Sequence, residues 1–249
     1  MVMRRTILTV RPAPDGDLDV AALARRGVPA LAAPMMSPSY LAPPADAGPY
    51  GGVIFTSRHA VTGWLTCGGD RPDPELLSRP AFAVGRATGR AVRAAGFRDV
   101  RVGHGGGGGL VPLITAAQDG VTGPLLWPAA AHRGFDMAEA LAGIAEVTLL
   151  PVYEMCETTG LPEAAAMALE QNEVLAVILM SARSARLFRA RLKDAGHGAS
   201  IAGMAIIAGS EVIAAAAGDG WAEIFVARRP TRARLLAIAA LLYDRRTRP

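Results

Sequence analysis

Val147-Thr148-Leu149-Leu150-Pro151-Val152-Tyr153-Glu154-Met155-Cys156-Glu157-Thr158 is a β-branched and aliphatic run that reads as one extended strand, closed off by Gly160 and Pro162. It stands between two halves that repeat each other. At a constant offset of 124 residues, Val53-Ile54-Phe55-Thr56-Ser57 lines up with Val177-Ile178-Leu179-Met180-Ser181. Without a gap, Gly85 then falls on Gly209, Gly96 on Gly220, Phe97 on Trp221, Val100 on Ile224 and Val102 on Val226. A looser echo sets Leu8 to Pro34 against Leu125 to Pro151 at an offset of 117. A repeat of this kind means two copies of one α/β unit, and by itself suggests two consecutive halves joined through the Tyr153 segment. Within that strand, simple alternation sends Val152 and Glu154 to the face opposite Tyr153.

Outward from the repeat, short apolar strands alternate with Ala-rich helices. Strands are expected at Thr6–Val10, Leu31–Met35, Val53–Phe55, Ala81–Val84 and Val100–Val102, then at Leu125–Trp127, Val174–Met180, Met204–Ala208 and Ile224–Val226. Helices are expected between them, among them Asp17–Arg26 ended by Gly27, Thr88–Ala95 ended by Gly96, Glu163–Glu170, Ala182–Ala195 and Arg232–Asp244. A proline-rich connector holds Pro38, Pro43, Pro44 and Pro49. Strands alternating with helices of this length predict α/β architecture, a parallel sheet covered on both faces. Ligands of such sheets bind beyond the carboxyl ends of the strands. Arg11, Thr56, Ser57, Gly85, Ser181, Gly209 and Ser210 all fall there.

Composition narrows the function classes. With 51% hydrophobic and 19% charged residues in 249, the chain is globular and long enough for two modest domains or one large one. The formal charge of +4 leans toward an anionic partner, yet no Lys/Arg run interleaves with aromatics, which argues against nucleic acid. Cys67 and Cys156 have neither CxxC spacing nor a His cluster, as expected of reduced thiols in a cytoplasmic protein. The N-terminal apolar run is too short for a signal peptide, and no stretch reaches membrane-spanning length.

The matched Ser57 and Ser181 each end a strand and open a helix, where a hydroxyl caps free amides. The same free amides attract carboxylates. Gly85 and Gly209 permit tight turns and close backbone approach to a ligand, and Thr88 lies in the first turn of its helix. Other signals lead nowhere. His104-Gly105-Gly106-Gly107-Gly108-Gly109 lacks the Lys-Ser/Thr of a P-loop and reads as a flexible surface loop, and Gly85-Arg86-Ala87-Thr88-Gly89 lacks dinucleotide spacing. His59, His104, His132 and His197 have no metal-ligand spacing, and His59 reads either as reaching the cleft or, the preferred reading, as a solvated helix-start histidine. No nucleophile elbow is present.

Taken together, Leu8-Thr9-Val10-Arg11-Pro12, Val53-Ile54-Phe55-Thr56-Ser57-Arg58-His59-Ala60-Val61, Ala83-Val84-Gly85-Arg86-Ala87-Thr88 and Pro151-Val152-Tyr153-Glu154 resemble uroporphyrinogen-III synthases. So do Ser181-Ala182-Arg183-Ser184-Ala185, Ile207-Ala208-Gly209-Ser210, and Pro230-Thr231 before a final Leu-rich helix. The resemblance implies a cofactor-free, metal-free enzyme that closes the linear octacarboxylate hydroxymethylbilane while inverting its last ring. It implies two similar parallel-sheet lobes, flavodoxin- or Rossmann-like but without a nucleotide site, joined by a two-stranded β linker. One lobe would hold residues 1–30 and 158–249, the other 39–148, with 31–38 and 149–157 as linker and Leu31–Met36 pairing Leu149–Cys156. Tyr153 matches the family's cleft tyrosine and is the candidate catalytic residue. Arg11, Thr56, Ser57, Gly85, Thr88, Ser181, Ser184, Gly209 and Ser210 are the implied substrate-binding set, with the tetrapyrrole as the partner and a cytoplasmic monomer as the setting. Glu211 and Val212 stand where relatives often carry a hydroxyl pair, which leaves Ser210 to substitute. The alternative from another class is a non-catalytic bilobed protein that binds a small anion at the same strand ends.

Overall fold

The computed structural model describes residues 5–42, 48–67 and 73–247. The N-terminal residues 1–4 and Pro43 and Pro44 of the connector lie outside them. The chain runs β1 (Thr6–Thr9), α1 (Asp15–Ala24), β2 (Ala30–Ala32), β3 (Met36–Tyr40), β4 (Gly52–Phe55), α2 (Arg58–Cys67) and α3 (Pro74–Ser78). It continues through β5 (Ala81–Val84), α4 (Gly85–Ala94), β6 (Val100–Gly103), α5 (Val111–Thr115), β7 (Leu125–Ala130), α6 (Met137–Ala140) and β8 (Val147–Glu157). The last part is α7 (Glu163–Glu170), β9 (Val174–Leu179), α8 (Ala182–Asp194), β10 (Ala205–Ala208), α9 (Glu211–Ala217), β11 (Glu223–Val226) and α10 (Arg232–Thr247). Two compact units result, Met1–Ser37 with Cys156–Pro249, and Pro38–Met155. No helix among the described residues is long and apolar enough to cross a membrane.

The first unit carries a parallel sheet in the order β2-β1-β9-β10-β11, with Leu8 opposite Leu31 and Val177, and Ile207 opposite Ile178 and Phe225. Numbered along the chain within the unit, that order is 2-1-3-4-5. The sheet is buried on both faces, as a parallel sheet requires. Ile7, Ala176, Ile178, Ala205 and Ile207 pack on one side against Leu23 of α1 and Leu235, Leu236, Ala239 and Leu242 of α10.

The second unit's sheet runs β3-β8-β7-β4-β5-β6, and its strands β8-β7-β4-β5-β6 are parallel. Counted from β7, that order is again 2-1-3-4-5. The second unit is therefore a circular permutation of the first. This accounts for both sequence offsets, because β4, β5 and β6 match β9, β10 and β11 at 124, and β7 and β8 match β1 and β2 at 117. Val53, Phe55, Ala81, Ala83 and Leu126 face α2 and α4, while Ile54, Phe82, Leu125 and Trp127 face Leu110, Ile114 and Met137 on the other side. Phe55 meets Trp64 and Phe97 edge-on at 5.7 Å each, contacts worth about 0.5–1.5 kcal/mol beyond their buried area.

Three local expectations are corrected. The segment Leu31–Met36 is not one strand. Ala30–Ala32 pairs with β1, and the Ala33 and Met35 amides still donate to Thr9 and Val10. Past Pro34, which has no amide to donate, Met36–Tyr40 becomes the neighbour of β8 instead. The glycine run is not a free loop either. Gly107–Leu110 is a 3₁₀ turn that buries Leu110 fully, and a Cβ on Gly107 would lie 2.5 Å from the Phe135 ring. A Cβ on Gly109 would overlap the His104 carbonyl oxygen. Finally, Val152 and Tyr153 pack into the same core rather than on opposite faces. Ala129 pairs with Pro151 but Ala130 with Tyr153, so β8 carries one extra residue there. A bulge of this kind reverses the side-chain phase of everything after it.

Candidate functional site

The bulge aims the Tyr153 ring. Its backbone oxygen accepts the Ala131 amide at 2.8 Å, while Val152 oxygen accepts the Leu41 amide at 3.0 Å, so the strand is tied on both sides of the bulge. Continuing the pairing of Val53 with Leu126 by four residues puts Ser57 level with Ala130, which pairs with Tyr153. The Ser57 side chain is the phenol's polar neighbour there and holds its pKa down. Ser57 Oγ also accepts the His59 amide at 3.1 Å, serving as the expected helix cap.

His59 follows in the first turn of α2, and its ring lies 5.7 Å from the Tyr153 ring, tilted by 46°. It is 9% exposed rather than solvated. Burial first, and the neighbouring Arg58 charge second, lower its pKa below the usual 6.5, so it is neutral at physiological pH. Burial raises the Tyr153 pKa above 10, the Ser57 side chain opposes that, and Tyr40 adds to it. The outcome is a protonated, 7% exposed phenol beside a neutral imidazole, at the carboxyl end of a parallel sheet.

Helix α2 comes this close to β8 because position 63 is glycine. A Cβ there would sit 2.6 Å from the Val152 carbonyl oxygen. An isolated glycine within a helical pattern was the only sequence signal of this contact. On the adjacent strand, Phe55 pairs with Ala83, so Thr56 and Ser57 lie beside Val84 and Gly85. Gly85 opens α4 at φ +72°, a conformation that favours glycine, with open space around it. No side chain caps α4. Thr88, buried in its first turn, has no side-chain hydrogen-bond partner among the described residues. Thr56 is half-buried at the mouth of the same loop pair. The second unit thus gathers Thr56, Ser57, Gly85, Thr88 and Tyr153 at neighbouring strand ends.

In the first unit, Ser181 caps α8 by accepting the Ser184 amide at 3.3 Å, and Ser210 caps α9 by accepting the Ile213 amide at 3.4 Å. Leu179 pairs with Ala208, which sets these two caps side by side. Gly209 keeps an ordinary φ and has room for a Cβ at 3.4 Å from Ile213, so its role is not a turn that only glycine allows. Arg11, just beyond its strand end, is held by two carboxylates. One guanidinium nitrogen contacts Asp15 at 2.6 Å and another contacts buried Asp19 at 3.2 Å. Asp19 is also bound by Thr9 at 3.3 Å and by Arg232 of α10. Arg11 therefore helps to neutralise an interior carboxylate. Among the described residues, no three His, Cys, Asp or Glu side chains gather as a metal would require.

The chain matches the profile of the family described as Uroporphyrinogen-III synthase HemD over residues 19–237. No curated protein matches it. Among solved structures, uroporphyrinogen-III synthetase from Helicobacter pylori is similar over 96% of this chain and 99% of its own, with a TM-score of 0.62 at 19% identity. A mutant uroporphyrinogen III synthase from the extremely thermophilic bacterium Thermus thermophilus is similar over 95% and 98%, with a TM-score of 0.53 at the same 19% identity. At that identity the structures speak for the fold. The profile match covers far more than half of the chain, and on it the chain belongs to the uroporphyrinogen-III synthase family.

Proposed function

We infer that Tyr153 is the proton donor of this chain's reaction, the closure of hydroxymethylbilane to uroporphyrinogen III with inversion of the last ring. The observation that carries this reading is a buried, protonated phenol aligned by a strand bulge, next to Ser57 and a neutral His59. The phenol keeps its proton at neutral pH and can give it to the substrate. The bilane's terminal pyrrole nitrogen expels the hydroxyl, and the Tyr153 proton lets it depart as water, leaving an azafulvene. Attack at the substituted carbon of the last ring gives the spiro intermediate, which fragments and recloses inverted. The proton lost from that ring's free carbon on rearomatisation restores the phenol, so the cycle balances.

Geometry decides the isomer. Unaided closure would attack the free carbon, so the protein's main contribution is to hold the chain folded for attack at the substituted one. The hydroxyls of Thr56, Ser57 and Thr88 and the uncapped amides of α4 are suited to carboxylates in the second unit, and Ser181, Ser184 and Ser210 in the first. Gly85 leaves the α4 amides open to approach, and Gly209 adds little bulk beside Ser210. Arg11 supports its loop through Asp15 and Asp19. The same reading makes the protein a cytoplasmic monomer acting on a soluble polyanion.

The test is Tyr153→Phe, which keeps the ring and removes the donor. General-acid assistance is typically worth roughly 10²–10⁴-fold. A loss of about tenfold to hundredfold is expected here, since the pyrrole nitrogen already drives hydroxide departure. The product should remain isomer III. Wild-type turnover would remove Tyr153 from the chemistry, and release of isomer I would make it a determinant of substrate folding instead.

A further inference from the structure

Helix α4 contains no acidic residue, and its arginines at 86, 90 and 93 follow one face at helical spacing. With Val102 and His104 from β6 and the residue after it, they line one groove of about 490 Å³, within the roughly 300–1,000 Å³ range of small-molecule sites. Beneath the groove Gly89 lets the helix approach the sheet. A Cβ there would lie 2.7 Å from Val102. Arg93 donates to the Val100 carbonyl at 3.1 Å, which fixes its guanidinium over the groove. Elsewhere in this unit Arg79, Arg101 and Arg133 each meet a carboxylate. Arg86, Arg90 and Arg93 have none among the described residues. Like charges at i,i+4 oppose the helix unless an anion offsets them. Arg86 directly follows Gly85, so the groove begins at the strand-end loop of the candidate site.

We propose that this groove is an accessory subsite that takes acetate and propionate carboxylates of the tetrapyrrole. The proposal rests on the functional reading above. A guanidinium grips a carboxylate through two parallel hydrogen bonds, and three in a row suit a ligand with several carboxylates on a semi-rigid frame. A substrate with eight carboxylates would also be drawn toward such a field before it docks.

Uroporphyrin III, a fluorescent octacarboxylate, serves as the equilibrium probe at low salt and at about 0.2 M salt. Arg90→Gln should weaken binding about threefold, and Arg90→Gln with Arg93→Gln about tenfold, with a shallower salt dependence. In hydroxymethylbilane turnover the loss should appear in KM rather than kcat. Arg25→Gln with Arg26→Gln, an equal charge change on the far end of α1, is the control and should bind as wild type does. Unfolding midpoints verify the fold, and Arg90→Gln alone decides if the double variant fails to fold. Unchanged binding and salt dependence, or an equal loss in the control, would overturn the proposal even where the wild type makes isomer III. Arg90-dependent uroporphyrin binding by a wild type that makes no isomer III would instead retain the groove as a polycarboxylate site and refute the functional reading.

Discussion

Gly63→Ala asks whether the approach of α2 to β8 sets the position of Tyr153. The added methyl would lie 2.6 Å from the Val152 carbonyl oxygen and 3.1 Å from the Val152 Cβ and Cγ2. Ordinary contact begins near 3.4 Å, so helix and strand must part by about 0.8 Å, the difference between 3.4 and 2.6. The strand cannot slip freely, because Val152 oxygen is bonded to Leu41 and Tyr153 oxygen to Ala131. Overpacking of this kind costs about 1–3 kcal/mol. Alanine in place of glycine inside a helix returns about 0.8–1.0 kcal/mol. The clash should win, with a net loss of up to about 2 kcal/mol in urea unfolding. The functional effect should be larger. A displacement of order 1 Å at a reacting group can cost about 10²-fold, so turnover of hydroxymethylbilane should fall about tenfold to hundredfold. A variant about 1 kcal/mol more stable with wild-type turnover would refute the packing argument.

Two more outcomes follow from the ionisable groups. Arg11→Ala should lower stability by about 1–3 kcal/mol, since it strips charge-assisted hydrogen bonds from buried Asp19 while Arg232 remains, and urea unfolding measures it. A stability loss near zero, with a several-fold rise in KM, would return Arg11 to the binding set. For His59, the folded pKa lies below the unfolded 6.5. Its contribution to stability is therefore complete above pH 6.5 and is lost as the pH falls through the folded value, at no more than about 1.4 kcal/mol per pH unit. Urea unfolding at about pH 7.5 and about pH 5.5 should show a wild-type decline that is smaller in His59→Gln, and an equal decline in both would remove His59 as its source.

Much of the architecture could be read before folding. The boundaries of α7 coincide with the expected Glu163–Glu170, and the two repeat offsets are the two parts of one permuted strand order. Ser57, Ser181 and Ser210 cap helices, as strand-to-helix serines do. What stayed hidden depends on partners far along the chain. Period-two alternation cannot show that Ala130 skips Val152 to pair with Tyr153, and that one insertion decides where the phenol points. Asp19 lies eight residues from Arg11 and 213 from Arg232, and only the sheet and α10 bring the three together. His59 looks like any helix-start residue until Tyr153 covers its ring. The glycine run reads as a loop because composition does not reveal Phe135 or the His104 carbonyl packed against it.

Folding hydroxymethylbilane for closure with inversion is what this chain must do to make isomer III. The most direct test supplies the wild-type protein with freshly generated hydroxymethylbilane, oxidises the products and separates the uroporphyrin isomers chromatographically. Isomer III is expected in large excess, formed faster than spontaneous closure yields isomer I. Isomer I at the rate and proportion of the protein-free control would contradict it.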